Sequence, residues 1–245
     1  MSRYGRLGAT VLVVIIVATG IVRADPMRLV GDGEAARWRA VGSLNVGGQR
    51  ACTAALISDH EAITAAHCVV DRATGNRTAP GAYQLVLGQM ADGHAAVRGV
   101  RETAFLPEYL SGQHTTGVAS LVSDIALLDL DMPVTADEAV PLRVVDWANP
   151  IGAFVNIVGY QRGGPDGATI REGCTAIESD GGVTAVTCDV ISGLSGAPVV
   201  LRENPNLPPV LVATVSSRSV GVGGALAIVV SIAPHLAKLR SLISP

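Results

Sequence analysis

A serine set between two glycines, in Gly193-Leu194-Ser195-Gly196-Ala197-Pro198, is the stretch of this chain best suited to nucleophilic chemistry. Glycine lacks a Cβ, so the backbone can turn sharply there and leave N–H groups open to a ligand. A serine on such a turn offers its hydroxyl outward, and nearby N–H groups can converge on a developing oxyanion. A hydroxyl needs a base to take its proton and a carboxylate to fix the tautomer of that base. Upstream, Thr64-Ala65-Ala66-His67-Cys68 supplies a histidine, and Ser123-Asp124-Ile125-Ala126-Leu127-Leu128 opens an apolar run with an aspartate. The chemistry implied is acyl transfer, with Ser195 as nucleophile, His67 as base and Asp124 as the orienting carboxylate. The chain order His, Asp, Ser is one of three known orders for such a triad.

The competing residues carry less. His60 lies in a polar turn, His94 and His114 in glycine-containing loops, and His235 in a terminal helix, none with a motif around it. Asp129 and Asp131 are the alternatives to Asp124. In a strand, Asp129 would face opposite to Asp124, because the two are an odd number of residues apart. The four cysteines, at 52, 68, 174 and 188, are too scattered for a CxxC-type metal site. Neither a metal nor a cofactor is expected.

The elements that must position these groups read as strands. The chain has 245 residues, 49% hydrophobic and 16% charged, with 28 glycines, which is a globular, turn-punctuated composition. A net charge of −3 supports neither a nucleic-acid nor an anionic-membrane partner. Two arginines precede an apolar run over residues 7–22, and Val22-Arg23-Ala24 has small residues where a signal peptidase reads. At about sixteen residues the run is short for a membrane span. Residues 1–24 are therefore expected to be a cleaved signal, leaving a secreted or periplasmic protein with no stable membrane association. An oxidising compartment then permits disulfides.

Residues 50–57 and 61–66 are short β-compatible runs, followed by a polar loop over 71–81 and further strands over 83–87 and 95–104. The loop over 107–120 is expected to rim a cleft. Residues 135–149, broken by Pro141 and Pro150, read as a connection between two lobes. Residues 171–178 and 183–187 form a hairpin around Ser179-Asp180-Gly181-Gly182, with Cys174 and Cys188 one on each arm. At the end, Leu236, Leu239, Leu242 and Ile243 recur at helical spacing, and this helix is expected to pack on the second lobe.

With these residues in view, the chain resembles the trypsin-like, chymotrypsin-fold serine proteases of the compact, secreted bacterial type. Cys52-Thr53-Ala54-Ala55-Leu56-Ile57 resembles that family's Cys-Gly-Gly-Ser-Leu-Ile, and Thr64 to Cys68 its Thr-Ala-Ala-His-Cys. Asp124 to Leu128 matches its Asp-Ile-Ala-Leu-Leu run, and Ser216 its serine before Trp-Gly, here Ser217-Arg218. The resemblance implies an all-β fold of two antiparallel six-stranded β-barrels with a short C-terminal helix. Residues 25–136 would form the first lobe and 137–245 the second. It implies a Cys52–Cys68 disulfide, and elimination with the hairpin spacing then pairs Cys174 with Cys188. It places an oxyanion hole on the N–H groups of Gly193 and Ser195, and substrate contacts at Asp189 and Ser216. A carboxylate at the Asp189 position implies a preference for Arg or Lys.

Leu29-Val30-Gly31-Asp32-Gly33 after Arg28 resembles the start that trypsin-like enzymes expose by cleavage. In the family, an aspartate just before the nucleophile receives that freed N-terminus. Leu194 stands there instead, so this mode of activation is not expected. The activity expected is that of a monomeric serine endopeptidase acting on protein or peptide substrates. The alternative is a catalytically inactive binding protein on the same fold. An esterase of unrelated fold would need a Gly-x-Ser-x-Gly elbow, and Ala197 occupies the last position.

Overall fold

In the computed structural model, apolar residues of short alternating runs turn inward and close two β-barrels. The structure describes residues 26–71, 74–111, 121–201, 207–221 and 224–244. The expected signal segment and most of the expected cleft-rimming loop over 107–120 lie outside the described residues.

The first barrel is built from β2 (Val41–Val46), β3 (Gln49–Leu56), β4 (Glu61–Thr64), β5 (Tyr83–Leu87), β6 (Ala96–Phe105) and β7 (Ala126–Leu130). All its pairings are antiparallel, and the order β2-β3-β4-β7-β6-β5 closes on itself. In β6, Ala96, Arg98 and Val100 are buried between more exposed neighbours until the register shifts near Arg101. Leu44, Leu56, Ile63, Leu85, Leu87, Leu127 and Leu128 are all fully buried. Closure leaves no free sheet edge in the ring.

The second barrel uses β9 (Phe154–Gly159), β10 (Thr169–Asp180), β11 (Val183–Val186), β12 (Pro198–Leu201), β13 (Val210–Gly221) and β14 (Gly224–Ser231). The ring runs β9-β10-β11-β14-β13-β12 and is closed by the β9–β10 pairing. The predicted hairpin is β10–β11, with Asp180 opposite Val183. Both disulfides are present, Cys52–Cys68 and Cys174–Cys188.

Two short strands add to the second sheet. β8 (Arg143–Val144) runs parallel to β13, and β1 (Arg28–Leu29) pairs with β10. The second pairing departs from the expected lobe boundary, since residues 28–29 attach to the second barrel although they precede the first. The reason is strand length: β11 covers β10 only over residues 176–180, so the early part of β10 keeps an open edge that β1 takes. The terminal helix (Ala233–Arg240) also departs from expectation. It packs on β6 and β7 of the first barrel, with Leu239 fully buried and Arg240 paired to Glu61. Each barrel is thus strapped by the chain end nearer in sequence to the other barrel.

Candidate active site

His67 stands in a single 3-10 turn, Ala66–Cys68, directly after β4. The Cys52–Cys68 disulfide pins that turn to β3. Asp124, 5% exposed, immediately precedes the buried run into β7, which is antiparallel to β4. That pairing brings the two together. The His67 ring Nδ1 lies 2.9 Å from Asp124 Oδ2 and 3.1 Å from Oδ1, and the His67 backbone N–H donates to Oδ1 at 3.0 Å. The hydroxyl of Ser216, from β13, donates to Oδ2 at 2.5 Å.

Burial by itself would push the Asp124 carboxyl up. The hydrogen bond and charge of the His67 ring, then the Ser216 hydroxyl and the His67 N–H, outweigh it and hold the group below the usual carboxylate value. An ionised Asp124 only accepts, so Nδ1 carries the proton and Nε2 keeps its lone pair. Asp129 points elsewhere, accepting from Arg101 Nε at 2.6 Å.

Ser195 lies on the loop between β11 and β12. Gly193 has φ +99° and Gly196 φ +76°. A Cβ on Gly193 would sit 2.4 Å from Arg162 N and Tyr160 O, and one on Gly196 2.1 Å from Thr64 Oγ1. Both contacts and both torsions require glycine. Among the described residues, neither the Gly193 nor the Ser195 N–H has an acceptor. Two open, fixed donors beside a hydroxyl are what an oxyanion site requires.

Two concavities meet at Ser195. One, of about 290 Å³, is also lined by His67, Gly193 and Arg162. The other, of about 360 Å³, is lined by Val190, Ile191, Val215, Ser216, Ser217 and Arg218. Two larger clefts, of about 550 and 570 Å³, contain none of the three candidate residues. Cys52, His67 and Cys68 have atoms within 4.8 Å of one another, but the two sulfurs are bonded to each other and offer no thiolate to a metal.

The two side chains expected at the substrate pocket both have partners within the chain. Asp189 does not line the pocket with an open carboxylate. Arg218 binds it twice, Nε to Oδ1 at 2.5 Å and Nη2 to Oδ2 at 3.1 Å, and this holds the carboxyl below its ordinary value. Ser216 does border the pocket, but its hydroxyl is committed to Asp124. Sequence reasoning missed the part of Thr53 in the site and the pairing of Arg218 with Asp189. The available signal was that Thr53 and Arg218 each replace a glycine of the resembled family's pattern.

Residues 31–223 match the family model described as Trypsin. The chain belongs to the trypsin family. It is thus a serine-type endopeptidase acting on protein or peptide substrates. Among solved structures, the chain is similar to a Glu endopeptidase in complex with MPD, at TM-score 0.73 and 18% identity. That similarity covers 90% of this chain and 98% of the other, and shows this trypsin-family chain to share its fold. No curated protein matches the chain.

Proposed function

We propose that this trypsin-family protease cleaves peptide bonds through Ser195, His67 and Asp124. His67 Nε2 takes the Ser195 proton as Oγ attacks the peptide carbonyl carbon, and the carbonyl oxygen becomes an oxyanion facing the Gly193 and Ser195 N–H groups. The imidazolium, held by Asp124, returns its proton to the leaving amine as the C–N bond breaks. Water repeats the sequence on the acyl-serine, releasing the acid and restoring the hydroxyl. The observation that carries this reading is His67, doubly anchored by Asp124, in one concavity with Ser195 and Gly193, whose N–H groups are open.

For the side chain on the acyl side of the cleaved bond, the 360 Å³ pocket is the natural host. Asp189 beside it speaks for Arg or Lys, and its bidentate engagement by Arg218 speaks more strongly against. We take the preferred residue to be a mid-sized uncharged one, matching Val190, Ile191 and Val215 on the walls. Two disulfides and the signal-like first 24 residues support a secreted or periplasmic site of action. The candidate triad is complete within one chain, which supports a monomer as the working unit.

Labelling the mature chain with a fluorophosphonate tests the reading. The wild type takes the label and Ser195→Ala does not, and Ser195→Ala loses roughly 10⁶-fold in kcat on a peptide substrate. A folded wild type that refuses the label would instead identify an inactive binding protein on the protease fold.

A further inference from the structure

We propose that Thr53 is the positioning residue that holds the Gly193–Ser195 loop in its oxyanion-binding shape, and that the chain is competent without cleavage after Arg28. The inference rests on the reading of Ser195 as nucleophile.

Thr53 lies in β3 of the first barrel and is fully buried. Its N–H donates to Ser195 O at 2.8 Å, and its hydroxyl donates to Gly193 O at 2.9 Å. The same hydroxyl oxygen accepts the Tyr160 N–H at 2.9 Å, while the Thr53 carbonyl accepts the Thr64 hydroxyl at 2.8 Å. One residue therefore grips the two carbonyls that flank Leu194. The rest of the loop is saturated around that grip. Leu194 N–H donates to Ile191 O, Gly196 N–H to Val215 O and Ala197 N–H to Leu194 O, and Ser192 O accepts from Arg162 N–H. The carbonyls of residues 192–195 are all engaged, and among the N–H groups of residues 193–197 those left open are Gly193 and Ser195. The open Gly193 and Ser195 N–H groups lie in the peptide planes whose carbonyls, Ser192 O and Leu194 O, are held by Arg162 N–H and Ala197 N–H, and Thr53 fixes the plane that follows each of them, Gly193–Leu194 and Ser195–Gly196, so neither donor can turn away without breaking that grip.

Nothing in this arrangement needs a charged partner at position 194. Leu194 is 1% exposed, packed in the second-barrel core and close against Gly159. Arg28 is likewise placed without cleavage. It lies in β1, paired with β10, and its guanidinium is held by Glu34 and Glu172. A neutral hydroxyl from the first barrel thus does the work for which an ion pair would need a freed amine.

The test uses the mature chain with Arg28 intact, beside Thr53→Val, Thr53→Ser and Arg28→Gln. Thr53→Val keeps the shape and β-branching but loses the hydroxyl. It is expected to lower kcat by about 10²-fold with little change in KM, on the scale of losing one oxyanion donor. Affinity for a peptide boronate, which places an anionic oxygen in the hole, should fall with it. Thr53→Ser restores kcat to within about tenfold of the wild type. Arg28→Gln takes the fluorophosphonate label at the wild-type rate. If Thr53→Val does not fold, the same comparison is made between Thr53→Ser and Thr53→Ala. A folded hydroxyl-less variant with wild-type kcat, or an Arg28→Gln chain that stays unlabelled while a chain trimmed to Leu29 reacts, overturns the proposal and leaves Ser195 as nucleophile intact. Failure of every form to label overturns the nucleophile itself.

Discussion

Asp189 and Arg218 illustrate how one side chain can redirect another. Each is partly exposed, and each finds in the other a planar partner that satisfies two hydrogen bonds at once. A substrate guanidinium entering the pocket would have to displace Arg218 before reaching the carboxylate. Removing the competitor should therefore reverse the preference. Arg218→Ala is expected to raise the ratio of kcat/KM for Arg over Leu at the cleaved position by about tenfold or more, the scale of a hydrogen bond to a charged group. A panel of substrates differing only at that position measures it, and an unchanged ratio would remove Asp189 from the pocket altogether. Arg218 itself was visible as an odd residue after Ser216. Its pairing with Asp189 was not, because the two are 29 positions apart and meet only through the fold of the second barrel.

At the scale of elements, strands were the most legible features and their partners the least. The runs that became β3, β4, β7 and the β10–β11 hairpin follow from short apolar, β-compatible stretches and from a glycine-rich turn, both local properties. The terminal helix is the instructive case. Leu236, Leu239, Leu242 and Ile243 announce an apolar face, but periodicity does not say what that face covers. The chain leaves β14 and crosses to the first barrel, where Leu239 is buried, Arg240 meets Glu61, and Ser244 meets Glu102. Leu239→Ala should cost about 2–5 kcal/mol of stability through the cavity it leaves. Arg240→Ala should cost under about 1 kcal/mol, because its own side chain is half exposed. Urea midpoints of the two variants check the order, and a reversed order would mean that the helix is docked by charge.

For the whole molecule, the site is a seam. Asp124 from the first barrel holds Ser216 from the second, and Thr53 from the first holds Gly193 and Ser195 from the second. These buried contacts tie the barrels where the substrate would lie. The carboxyl of Asp124 is depressed below its ordinary value in the folded chain, so its contribution to stability is present above that ordinary value and is lost as pH falls through the folded one. Glu34, held down by Arg28, and Asp189, held down by Arg218, act in the same direction. The urea midpoint is thus expected to hold above about pH 5 and to drop as pH falls below it, and Asp124→Asn should show a shallower drop. Equal drops in the two proteins would show that this carboxylate is not coupled to folding.

The amino-acid sequence by itself determined the strand runs, the hairpin carrying Cys174 and Cys188, and the three segments that hold Ser195, His67 and Asp124. Each is encoded by neighbours in the chain, through periodicity, turn chemistry or a short motif, and so can be read without knowing what lies across from it. Only the tertiary structure decided that β1 joins the second barrel, that the terminal helix covers the first, that Arg218 occupies Asp189, and that Thr53 grips the Gly193–Ser195 loop. Those are pairings between residues far apart in sequence, selected by open sheet edges, buried volume and unsatisfied polar groups that exist only once both barrels have closed.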